Sequence, residues 1–247
     1  AFVWHALRAR SPLIDLRLFS DRVFTVSSIA LVLMVISVFG SFLLLPLYLQ
    51  EVRGESALGS GLLLIPQGVG SMLMMPVAGI LSDKVGSGRI APFGLIIIGA
   101  SVLWLTGVGA HTPYWQLELD LFVNGIGMGL TMMPIFTGAI QTITEAAAAR
   151  ASALLNIIQQ AGASVGTAVL SVLLASAITG TFGAHAGGAG AGATLSPAAR
   201  ARVAEPMAQA FGQTFWWALA LIGVAFIASL FLPKQRPARA GGAAVIV

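Results

Sequence analysis

The stretch FTVSSIALVLMVISVFGSFLLLPLYL, Phe24–Leu49, runs for 26 residues without a charge. A helix needs about 20 apolar residues to cross a hydrocarbon core of about 30 Å. Lipid offers no water to stray backbone groups, so only helices and closed barrels can span it. Barrel strands alternate in hydrophobicity over about ten residues. Ile29–Met34 is instead apolar all round, as is Gly94–Ile98 further along. This run reads as a membrane-spanning helix.

Five similar runs follow: Leu58–Leu81, Ile90–Ala110, Trp115–Ile140, Ala153–Ile178 and Phe211–Leu232. Together the six fill most of the 247 residues. Charged residues make up 9% of the chain, against roughly 25% in soluble domains, and mean hydropathy is +0.92. The expected fold is all-α and polytopic, with six transmembrane helices. Residues 1–23 read as a lead-in and 24–232 as the membrane domain. Residues 179–210 read as a mobile loop and 233–247 as a tail. Inside that loop Gly183–Ala193 is low in complexity, and Ser196-Pro197 reads as the start of a short helix reaching about Val203.

Placement of Lys and Arg sets direction. One side would hold Arg8, Arg10, Arg17, Arg22, Lys84, Arg89, Arg150, Lys234, Arg236 and Arg239, and the other Arg53, Arg200 and Arg202. Ten basic residues against three put both termini in the cytoplasm of a cell (inner) membrane protein. Tyr48, Tyr114, Trp115, Trp216 and Trp217 sit near span ends, where amphipathic rings favour the headgroup zone. Basic residues dispersed over loops account for the pI near 10.3 and give no nucleic-acid stripe. With no cysteine, thiolate metal sites and thiol nucleophiles are excluded. No H-E-x-x-H, P-loop or nucleophile elbow occurs. His5, His111 and His185 are far apart, so neither an enzyme nor a metal centre is expected.

Polar residues inside spans are costly and tend to mark cavities or helix contacts. Gln67 lies near the middle of the second span and Asn124 in the outer third of the fourth. Asn156 and Gln160, four apart, share one face of the fifth. Met132 belongs to a methionine cluster with Met128 and Met133, and thioethers suit an adaptable apolar pocket. Gln67, Asn124, Asn156, Gln160 and Met132 are therefore the substrate-facing candidates. Each also has a plainer use, an interhelical hydrogen bond or core packing. Glu118 and Asp120 are read as the only carboxylates within a span. Both could lie solvated near the headgroups; if Asp120 faces the cavity, it is the candidate proton carrier. Gly125-x-x-x-Gly129 and Gly162-x-x-x-Gly166 are small-residue faces for close helix packing.

Between the second and third spans lies Gly79-Ile80-Leu81-Ser82-Asp83-Lys84-Val85-Gly86-Ser87-Gly88-Arg89. Read alone, it is a charged turn whose glycines at 79, 86 and 88 permit close approach and a tight bend. Its pattern G-x-L-x-D-K-x-G-x-x-R resembles the loop signature of the major facilitator superfamily, G-x-L-x-D-R-x-G-R-K. Gly79, Leu81, Asp83, Lys84 and Gly86 match; Ser87 and Gly88 replace the usual basic pair, and Arg89 restores one charge. Leu121–Gly127 is similar to the fourth-helix motif R-x-x-Q-G-x-G, with Leu121 in place of Arg. Pro12–Phe19, Tyr48–Gln50, Ser60–Leu62 with Pro66–Gly68, Leu155–Gln160 and Phe215–Trp217 resemble the fourteen-span drug/proton antiporter branch in order.

That resemblance implies the C-terminal half of a transporter, whose partner would be the missing N-terminal half of the same protein. It implies a small amphiphilic substrate, no cofactor beyond a proton gradient as coupling ion, and a gating contact from Asp83. The principal proton-carrying acids would lie in the other half. A stand-alone six-helix scaffold without transport activity is the competing expectation.

Overall fold

The computed structural model describes residues 22–140, 145–182 and 197–230. Seven helices follow in chain order: α1 (Arg22–Glu51), α2 (Ala57–Leu63), α3 (Ile65–Val85), α4 (Ser87–Leu105), α5 (Tyr114–Ile140), α6 (Glu145–Phe182) and α7 (Pro197–Ser229). There is no strand among the described residues. Six spans are long and apolar enough to cross a membrane, α2 and α3 jointly making the second.

Several boundaries differ from those read in the sequence. The second span breaks at Leu64, because Pro66 has no amide hydrogen to continue the α2 ladder and instead starts a new helix. Ser56 caps α2 by accepting the Gly59 amide at 3.0 Å. The third span stops at Leu105, short of Ala110, where Gly107, Gly109 and Pro113 favour a turn. The loop expected over 179–210 is largely helical where described. α6 runs on to Phe182, and α7 is one helix from Pro197 to Ser229, so the short helix expected to reach about Val203 is its first part. Alanine-rich sequence on both sides explains this, since Ala is the best helix former. Met207, Ala208 and Ala210 are buried, which ties the start of α7 to the core. The expected lead-in (up to residue 21), the glycine-rich stretch 183–193 and the tail lie outside the described residues.

α1 packs against α5, α6 and α7; α5 packs against α3 and α4; α4 packs against α7. The helices α1, α5, α4 and α7 therefore close a ring, with α3 leaning on α5 and α6 on α1. Leu31, Met34, Tyr48, Leu95, Ile98, Leu121, Phe211 and Phe215 fill the ring's centre. The two flanking spans stand out by exposure. Only 11% of the second span's apolar window and 33% of the fifth's are buried, against 44–56% for the other four.

Glycine faces set how closely the flanks approach. A Cβ on Gly125 would collide with the Gln67 carbonyl, and one on Gly129 would stand 2.9 Å from the Ser71 carbonyl oxygen. On the other flank, a Cβ on Gly166 would strike the Ile36 carbonyl, whereas Gly162 meets Val35 at 3.3 Å. Backbone thus lies against backbone between α3 and α5 and between α1 and α6.

Candidate functional site

A chain of side-chain hydrogen bonds crosses from α3 through α5 to α4 and back. Gln67 Nε2 donates to Asn124 Oδ1 at 2.9 Å. Asn124 Nδ2 donates to Ser101 Oγ at 3.0 Å. Ser101 Oγ donates to Asp120 Oδ2 at 2.9 Å. Every donor points the same way, toward the carboxylate. Asn124 and Ser101 are buried, while Gln67 and Asp120 are half-buried at the two ends. Asp120 and Asn124 are four apart on α5, so both meet Ser101 on the neighbouring helix.

Gln67 and Asn124 line a crevice between α1, α3, α4 and α5 with Ser41, Leu45, Val102 and Leu121. Its free volume is about 20 Å³, room for about one water. The six helices by themselves thus enclose no chamber for an organic substrate here. Met128 Sδ lies 3.7 Å from Gln67 Nε2, so a thioether does border this polar pair. Met132 is half-buried in the core beside it.

The other substrate-facing candidates do not join this crevice. Asn156 and Gln160 lie on an exposed face of α6, with Ile157 and Ser164, along an open groove of about 430 Å³. Asn156 Nδ2 donates to the Ser152 carbonyl at 3.0 Å. Asp120 lines a separate cavity between α4 and α5, not the central crevice.

The glycine-rich charged loop is a one-residue turn. Gly86 alone separates α3 from α4, at φ 94°, a left-handed value that favours glycine. Its amide donates to the Ser82 carbonyl at 2.9 Å. Asp83, Lys84 and Arg89 are exposed around it. Gly79 meets nothing within 4 Å, so among the described residues no helix uses the close approach its size permits. Gly88 lies within α4.

Sequence reasoning missed Ser101, which carries no signal as one serine in an apolar run. It also missed Glu51 and Glu205. Glu51, the last residue of the first span, is 2% exposed. Glu205 accepts the Ala110 amide at 3.1 Å from the start of α7. Among the described residues no group of three His, Asp or Glu could hold a metal ion.

Six apolar helices around a shared core define a polytopic α-helical membrane protein. Residues 4–167 match the sequence model of the Major Facilitator Superfamily, and the chain belongs to that family. It is 38% identical to a multidrug resistance protein B homolog of Mycobacterium tuberculosis, over 96% of this chain and 47% of that protein. It is 31% identical to the lincomycin resistance protein LmrB of Listeria monocytogenes, over 70% of this chain and 37% of the relative. The MFS-type transporter YhcA of Bacillus subtilis is 32% identical over 70% of this chain and 32% of its own length. The chain spans less than half the length of each.

Proposed function

We propose that this chain forms the C-terminal half of a proton-coupled efflux transporter for amphiphilic small molecules, drugs among them. The observation that carries the reading is the pair of uncovered flanks. The second and fifth spans leave most of their surface unburied, and polar groups such as Asn156 and Gln160 stand on it. Secondary transporters of repeated architecture bind near the bilayer midplane between two related halves and rock one against the other. A second six-helix half laid across α3 and α6 would cover these faces and turn the crevice at Gln67 and Asn124 into part of a chamber. The names of the mycobacterial and listerial relatives support a drug as cargo. Family membership weighs against the stand-alone scaffold.

In this reading Gln67, Asn124, Asn156 and Gln160 contact substrate, and Met132 shapes the apolar wall. Asp120 is the carboxylate we assign to proton movement, because an ionisable group at membrane depth is costly and marks ion pathways. Asp83, with Lys84 and Arg89, meets a helix of the other half when one gate is shut. The protein resides in the cell membrane with both termini cytoplasmic, by the asymmetry of its basic residues.

Dye accumulation in an efflux-deficient host tests the proposal. Cells making the full-length protein should accumulate less ethidium, and a protonophore should abolish the difference. The 247 residues made alone should export nothing. Export by these residues alone, or export indifferent to the protonophore, would overturn it.

A further inference from the structure

A cavity of about 420 Å³ opens between α6 and α7 and shares no residue with the central crevice or with the space beside Asp120. Its size falls within the roughly 300–1,000 Å³ of small-ligand sites. Ser176, Gly180 and Thr181 of α6 line it, with Gln213, Thr214 and Trp217 of α7. Gln213 and Trp217, four apart, share a face of α7, and both are exposed. At about 100° per residue, Ser176 and Gly180 stand roughly 160° and 200° round α6 from Gln160. The cavity therefore looks away from the face that the other half of the proposed transporter would cover, and toward lipid.

Hydrogen-bond sense limits what fits. A hydroxyl has one hydrogen to give and two lone pairs to receive with. Ser176 Oγ donates to the Leu173 carbonyl at 2.8 Å, Thr181 Oγ1 to that of Ala177 at 2.9 Å and Thr214 Oγ1 to that of Ala210 at 2.9 Å. With their hydrogens spent on their own helices, the three offer lone pairs to the cavity. Among the described residues the Gln213 amide has no hydrogen-bond partner, which leaves it able to give and to accept. Among the same residues no charged side chain lines the space, and a charge confined without a partner is costly. A phosphate, which only accepts, meets lone pairs here, and an ammonium finds no carboxylate. The guest that fits is neutral and brings several donors. Depth adds a second constraint. Phe211 packs on Tyr48 near the end of α1, and Trp217 lies about 9 Å deeper along α7. Indoles at such depths mark the boundary of headgroup and hydrocarbon.

We propose that this cavity seats the hydroxylated ring of a neutral glycolipid, whose hydroxyls donate to Ser176, Thr181 and Thr214. Gln213 gives and accepts at the rim. The ring lies against Trp217, since the face of an indole is electron-rich and suits the C–H edge of a sugar. The acyl chains run on past Trp217 into the leaflet. This lipid is a resident of the flank and not cargo, because the space neither joins the crevice at Gln67 nor faces the other half. It touches both helices and so bridges α6 to α7. Binding here does not depend on the efflux reading.

The test is a titration of spin-labelled monoglucosyl diacylglycerol into the full-length protein in phosphatidylcholine nanodiscs, read as the saturable immobilised fraction. Gln213→Leu and Trp217→Leu should each weaken binding about fivefold, the scale of one lost net contact. Trp216→Leu, which removes an equally exposed indole outside the cavity, should change nothing. Because Gln213 bonds to no described residue, its replacement should leave the thermal midpoint at the parent value. A head with every hydroxyl O-methylated keeps the ring and loses its donors, so it should bind without saturation, as should spin-labelled phosphatidylcholine. Equal saturable binding of either lipid, or unchanged affinity in Gln213→Leu or Trp217→Leu, would overturn the proposal. Displacement of the probe by an equal concentration of methyl glucoside would overturn it too, since the ligand would then be a free sugar.

Discussion

Tyr48 donates its phenolic hydrogen to the carbonyl of Gly109, 61 residues away, at 2.8 Å. The bond fastens the end of α1 to the turn between α4 and α5. Around it, Arg53 donates to the Ala110 carbonyl, and Glu205 takes the Ala110 amide. Tyr114 donates to Glu55 at 2.6 Å, with the Arg53 guanidinium 4.4 Å above its ring. Three helix ends thus hold one glycine-rich turn. The opposite end of the bundle has the single Gly86 bend with its exposed charges.

Tyr48 is 1% exposed, and its ring packs edge-on against Phe211. Tyr48→Phe keeps that packing and leaves the Gly109 carbonyl with the Thr112 amide alone, so we expect a loss of about 1 kcal/mol. Thermal unfolding in detergent should show a lower midpoint, and a cysteine placed at Thr112 should react faster with a soluble maleimide. Equal labelling rates would show that the turn is held without this bond.

The glycine contacts predict a larger effect. At Gly125 and Gly166 a methyl group would overlap a carbonyl of the neighbouring helix, and backbone cannot step aside as a flexible side chain can. Gly125→Ala and Gly166→Ala should each cost about 1–3 kcal/mol, the usual penalty for overfilling a packed interior. Gly79→Ala and Gly61→Ala, helical positions where nothing lies within 4 Å, should not lower the midpoint and should raise it slightly, Ala being the better helix former. A midpoint for Gly166→Ala equal to the parent's would contradict the close packing of α1 on α6.

The six spans were legible because hydrophobic length is a property of sequence alone, and lipid removes every alternative but helix or barrel. Their ends were less so. Leu64 looks like any residue of an apolar run, and only Pro66 two positions on reveals the break. The start of α7 at Pro197 was legible, but its continuation past Val203 was not, because burial of Met207 against the core is a tertiary event. In the site, Gln67 and Asn124 were visible as polar residues in oil, but their pairing was not, since they lie 57 positions apart. Ser101 and the place of Asp120 needed the α4–α5 register, which no local pattern encodes. Asn156 and Gln160 were found together as their spacing required, on a face this chain leaves open.

Asp83 has an exposed carboxylate in the last turn of α3, two residues before its end. An acidic group there gains nothing from the helix terminus, since negative charge is disfavoured at a C-terminal end. Its use is therefore sought outside this bundle, in the other half of the proposed transporter. Asp83→Asn should reduce ethidium export severalfold while membrane insertion and thermal midpoint stay at parent values. Lys84→Ala should weaken export less, because Arg89 keeps a positive charge at the same turn. Full export by Asp83→Asn would remove this residue from the gate.

Directional hydrogen bonds make the Gln67–Asn124 pair separable from its surroundings. Gln67 donates to Asn124, which accepts there and donates its own hydrogen to Ser101. Interhelical pairs in membranes average only about 0.6 kcal/mol, so stability alone should barely register their loss. A double-mutant cycle with Gln67→Leu and Asn124→Leu should return a coupling near that value in unfolding. Coupling in export should be larger, because a buried chain of polarised bonds responds as a unit when one link is cut. Ser101→Ala should reproduce the export defect of Asn124→Leu, and combining the two should add nothing further. Fully additive export defects for Ser101→Ala and Asn124→Leu would mean that the two residues act separately, and that the line from the crevice to Asp120 carries no signal.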